Sequence, residues 1–166
     1  MLASRTLLLL ALVGASGATF AANAGDPPPP AVFVSKAAQD GMTEVELGKV
    51  ALNKSKDAQV RAFAQRMVTD HGKANTELAG IAKRKGIDVP KKLDTEHQDM
   101  VKKLSSQDGE AFDIEYSRHM NMDHEKAIDL FEGASQSSDA DLAGFAKKTL
   151  PTLQEHKQMA SKLPGQ

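Results

Sequence analysis

The chain has 166 residues and five histidines, and four of the histidines fall in three stretches with other metal donors. Residues 119 to 124 read HMNMDH, Asp70 precedes His71, and Glu155 precedes His156. Neutral imidazole and carboxylate together suit Zn, Fe, Mn or Cu, and thioether sulfur from Met67 or Met120 tilts the choice toward copper. There is no cysteine, so thiolate metal sites, disulfides and covalently attached haem are excluded. Within a helix, HMNMDH cannot act as a local chelate. Neighbours one and two apart diverge around the axis, and only pairs three or four apart share a face. His119 with Asp123 and Met120 with His124 are such pairs. Any common site needs further donors on facing helices.

The elements that would supply them are all helical. Ala, Leu, Lys, Glu and Gln dominate, and no alternating pattern marks a strand. The spacing predicts helices from about Ser35 to Asn53, and from a Ser55 or Asp57 cap to Gly86. A short one follows from about Asp94 to Ser105, and a long one from about Asp108 to Ser135. A last helix starts at a Ser138 or Asp139 cap and ends before Pro164. The first and last pairs of long helices have short connections and form antiparallel hairpins. Between the hairpins lie about 20 residues, long enough to return along a ~40 Å bundle. The expected fold is all-α: a ferritin-like four-helix bundle with a long, partly helical crossover between helices two and three.

A turn of ~100° per residue converts position into direction. His71 falls in the stripe of Val60, Phe63, Met67, Ala74 and Leu78, and His156 in that of Phe145, Leu153 and Ala160. In the first helix, Ala37, Gly41, Gly48 and Ala51 form a row of small residues. Glu44 completes that row, while Glu46 points away. In the third long helix Asp123 lies in the stripe, His119 and His124 flank it, and Met122 points outward. His97, without such company, reads as solvated surface. The metal-ligand candidates are therefore Glu44, His71, His119, Asp123, His124 and His156, at similar heights in the bundle. The di-iron pattern of Glu-x-x-His is missing, because Val68 and Leu153 occupy the carboxylate positions. No residue is marked as catalytic.

Residues 1–24 read as a secretory signal, with Arg5, an apolar run from Leu7 to Val13 and Ala22-Asn23-Ala24 before Gly25. Residues 25–33 read as a proline-rich linker and residues 34–163 as the bundle. The expected location is the periplasm, or at most the periphery of the outer membrane. No stretch approaches the ~20 apolar residues of a membrane span. The balance of 21 basic against 22 acidic residues, with no Trp, offers nothing for nucleic acid.

The segments EVELGKVAL, VRAFAQRMVTDHGKAN, YSRHMNMDHEKAIDLFE and LAGFAKKTLPTLQEHKQMA resemble the bacterial domain of unknown function 4142. Members of that exported, ferritin-like family are often labelled outer membrane proteins. The resemblance covers Val34 to Leu163 and implies a ferritin-like bundle, with Asp70-His71, Asp123-His124 and His156 as family positions. It implies no activity. Three functions are then open: metal handling or stress protection through the inward donors, a metal-free structural or interaction module of the envelope, and a metal-dependent redox enzyme.

Overall fold

The computed structural model describes residues 26–166, and the expected signal segment 1–24 lies outside them. Asp57 caps α2 (Ala58–Arg66), its carboxylate accepting from the Gln59 and Val60 amides at 2.8 and 3.0 Å. Asp94 caps α4 (Thr95–Ser105) through the His97 amide, and Asp139 caps α6 (Ala140–Ala160) through Asp141 and Leu142. Each carboxylate satisfies amides that have no intrahelical partner and faces the positive end of the helix dipole. α3 (Gly72–Lys85) ends at Gly86, whose φ of 66° suits a residue without a Cβ. α5 spans Gly109–Ser135.

α1 (Pro30–Lys54) begins earlier than the spacing predicts, inside the segment expected to be linker. Pro30 takes a first-turn position, where its missing N–H costs no hydrogen bond. Phe33 and Val34 are then buried core residues of this helix.

The four long members form a ring. α1 packs on the α2–α3 helix and on α5, and α6 packs on both of these. The crossover, residues 86 to 108 with α4 inside it, lies against α1 and α5. This is the all-helical bundle expected, with the connection order of ferritin-like folds.

α2 and α3 are one continuous helix interrupted by a π turn, Met67–His71. Periodicity at 3.6 residues had no means of showing it. Such wide turns recur at functional sites. α1 approaches this turn closely because Gly48 has no side chain. A Cβ there would lie 2.9 Å from Val68 Cγ2 and 3.0 Å from the Ala64 carbonyl oxygen.

The core is in two pieces. One cluster, at the N-terminal end of α1, contains Phe33, Leu78, Phe131, Leu142, Phe145 and Leu153. The other contains Leu47, Phe63, Met67, Phe112, Tyr116 and Met120. Each aromatic or aliphatic side chain so buried stabilises the fold by about 1.5–3 kcal/mol. His71, His124, His156 and Glu44 belong to neither cluster and sit between them along the helices. Among the described residues no helix is long and apolar enough to cross a membrane.

Candidate metal centre

His71 comes from the π turn, His124 from α5 and His156 from α6. Their ring centroids form a nearly equilateral triangle with sides of 5.5, 5.4 and 5.3 Å. One nitrogen from each lies within 4.8 Å of the other two. Phe63 borders the triangle, 6.1 Å from the His124 ring and 6.3 Å from the His156 ring.

Hydrogen bonds set the tautomers. His124 Nδ1 lies 2.8 Å from the Met120 carbonyl, which only accepts, so Nδ1 donates and Nε2 keeps its lone pair. His156 Nε2 lies 3.1 Å from Asp70 Oδ2 and donates to it, which leaves the lone pair on Nδ1. Asp70 is held in turn by Arg66 at 3.4 Å, and Arg66 makes a two-pronged ion pair with Glu155. The result is three buried nitrogens without any partner: His71 Nε2, His124 Nε2 and His156 Nδ1. Leaving a buried polar atom unpaired costs roughly 1–3 kcal/mol. Three in one layer mark a place that can take a ligand or an ordered water.

The charge states agree with coordination chemistry. Burial pushes the His71 pKa well below the ordinary imidazole value, and the neighbouring His124 and His156 add to the shift. Burial also lowers His124, to about 4, and lowers His156 against the pull of Asp70. All three rings are neutral at pH 7, the form that binds metal.

The other candidates fall elsewhere. Glu44 is buried, with Oε1 4.0 Å from His124 Nδ1 and Oε2 unpartnered. Burial raises its pKa well above the carboxylate range, helped by Asp123 and Asp40. Glu46 is exposed and pairs with Lys49, as its position on the helix implies. Asp123, expected to face inward, is partly exposed, and it is His124 that is buried. Asp123 Oδ2 lies 2.9 Å from His119 Nε2, and Lys126 stands 3.7 Å from Oδ1. Burial pushes Asp123 up, but its hydrogen bond and charge contact with His119 hold its pKa below the usual value. Asp123 and His119 thus form a side pair at i,i+4 and are not among the converging nitrogens. Met122 is exposed, as expected.

The shift from Asp123 to His124 has a local cause. Counting apolar residues alone omits Ser117 and Ser135, both buried, each donating its hydroxyl to a carbonyl of its own helix. Including them turns the buried face of α5 toward α6 and brings His124 inside. Asp70, the partner of His156, was visible in sequence only as the neighbour of His71. His97 also departs from the solvated reading: its Nδ1 lies 2.7 Å from Asp94 Oδ1 and its Nε2 3.4 Å from Asp40 Oδ1.

Residues 15–163 match the family model described as Domain of unknown function (DUF4142). The chain belongs to the DUF4142 family. No curated protein matches this DUF4142 chain. Its fold is similar to that in the crystal structure of a DUF305 fragment from Deinococcus radiodurans. The TM-score is 0.70 at 18% identity, covering 82% of this chain and 95% of that one. At such identity the likeness speaks for the fold alone. What the DUF4142 bundle does has to be argued from its own residues.

Proposed function

We propose that this protein is a metal-handling bundle, exported to the periplasm, which binds one transition-metal ion through His71, His124 and His156. The observation that carries the reading is the convergence of three buried, neutral imidazoles whose inward nitrogens have no other partner. Three imidazoles without thiolate suit Zn(II) or copper better than Mg or Ca, which prefer oxygen. The absent Glu-x-x-His spacing argues against a di-iron centre. With bonds of ~2.0–2.1 Å, a tetrahedral ion needs nitrogens roughly 3.3 Å apart. The nitrogens, within 4.8 Å of one another, therefore have to close by up to about 1.5 Å, a movement on the scale of small χ rotations of the three rings. Asp70 behind His156 is the carboxylate–histidine arrangement that orients a ligand and raises its basicity.

The test is titration of metal-free protein with Zn(II), Cu(I), Cu(II), Fe(II) and Mn(II), read by calorimetry and thermal unfolding. One equivalent should bind, and a hundredfold excess over Kd should stabilise by about 2.7 kcal/mol. That corresponds to roughly 5–10 °C in Tm for a domain of this size. His71→Ala and His156→Ala, folded by circular dichroism, should lose the binding. If none of these ions binds or stabilises the wild type, the reading fails and the metal-free structural module stands.

A further inference from the structure

The layer between the two core clusters is reached by a cavity of about 480 Å³ lined by residues of α1, the π turn, α3, α4, α5 and α6. His71 and His124 form part of its inner wall. Five carboxylates line it, Asp40, Glu44, Asp94, Glu96 and Asp123, against two lysines, Lys36 and Lys126. A water molecule occupies about 30 Å³, so a cation with six waters, at roughly 180 Å³, fits inside.

We infer that this cavity is the entrance for the metal ion, with Asp40, Glu44 and Asp123 as a carboxylate subsite that holds the hydrated cation before the histidines take it. The inference rests on the metal-binding reading above.

An acidic wall by itself is an ordinary surface. Glu44 makes this one different: it is 4% exposed, lines the cavity, and its Oε2 has no hydrogen-bond partner. Its other oxygen is 4.0 Å from His124 Nδ1, so it links the acidic wall to a residue of the triad. The nearby carboxylates have partners of their own: Asp40 faces His97, and Asp123 faces His119 and Lys126. Glu44 Oε2 has none, and an arriving cation would give this buried oxygen a partner.

Paired side chains cover other faces beside the triad. Beside His156 the α2–α6 face carries Arg66, locked between Asp70 and Glu155. The α5–α6 face carries Lys157, which donates to the Asn121 carbonyl and pairs with Glu125. Along the bundle axis both directions are closed by the apolar clusters. A cleft lined by one sign of charge with low-dielectric walls raises the arrival rate of the opposite sign by ~10–10³.

Stopped-flow uptake of Co(II), a coloured stand-in for Zn(II), by the purified metal-free protein tests this. The Asp40→Asn, Asp123→Asn double variant should take up Co(II) about tenfold more slowly at low salt. The difference should shrink toward high salt, while the stoichiometry stays at one and the off-rate changes little. Glu44→Gln should also slow uptake and keep the stoichiometry. Wild-type on-rates in both variants, with normal stoichiometry, overturn the entrance and leave the triad standing. Loss of equilibrium binding in Glu44→Gln overturns it too, since Glu44 would then be a permanent ligand. No uptake by the wild type overturns the metal reading itself.

Discussion

Acid should unfold the metal-free protein earlier than its carboxylates alone require. The three triad histidines have folded pKa values below their unfolded ones, so the unfolded chain binds more protons and stability rises with pH in that window. The stability is complete above the unfolded value of 6.5 and is lost as pH falls below it. For His124 the loss is complete near the folded value of about 4. At 1.36 kcal/mol per unit, His124 alone removes about 3 kcal/mol over that range. Against the usual 5–15 kcal/mol of a domain, that is a large share. His71 and His156 act in the same direction. Glu44 acts in the opposite one: its raised pKa means the folded state keeps a proton that the unfolded chain releases, so acid favours folding at that group. Titrating between pH 7 and its unfolded value of 4.5, Glu44 can offset at most about what one such histidine removes, so a net loss remains. Urea denaturation followed by circular dichroism, at about pH 7 and at half-unit steps to about pH 4 with a chelator present, measures it. The unfolding free energy should fall by at least about 3 kcal/mol, with the slope reduced by about 1 kcal/mol per pH unit in His124→Gln and steepened in Glu44→Gln. A flat profile between pH 6.5 and 4.5, or a slope unaltered by His124→Gln, would refute the assignment of buried neutral imidazoles.

Further outcomes follow from the supports of the site. Asp70→Asn keeps the shape but weakens the acceptor behind His156, and should lower metal affinity by about 10–100-fold in competition with a chelating dye. Gly48→Ala places a Cβ 3.0 Å from the Ala64 carbonyl oxygen and against Val68, and should destabilise by about 1–3 kcal/mol in urea melts. Gly144→Ala, in the second turn of α6 with nothing within 4 Å of the added carbon, should stabilise by about 0.5–1 kcal/mol in the same assay.

Much of the bundle was legible because helical periodicity reports direction without tertiary information. His71 and His156 in their apolar stripes, Glu44 against Glu46, and the small residues Gly41 and Gly48 could all be placed from spacing alone. The π turn at Met67–His71 was not legible, since an apolar repeat carries no mark of one extra residue per turn. The start of α1 at Pro30 was hidden by neighbouring prolines that read as extended chain. Asp123 took the place of His124 because buried serines do not count as apolar, although they complete the inner face of α5.

The sequence by itself determined the helical class, the hairpin–crossover–hairpin order and which helices carry an inward histidine, because these depend on local periodicity and loop length. Only the tertiary structure decided that the three imidazoles meet within 4.8 Å, which nitrogen of His124 and of His156 is spent on a hydrogen bond, and that Glu44 faces a cavity. Those facts depend on the relative height and rotation of separate helices. A one-turn slip along any helix moves a side chain by about 5.4 Å, more than the spacing of the triad.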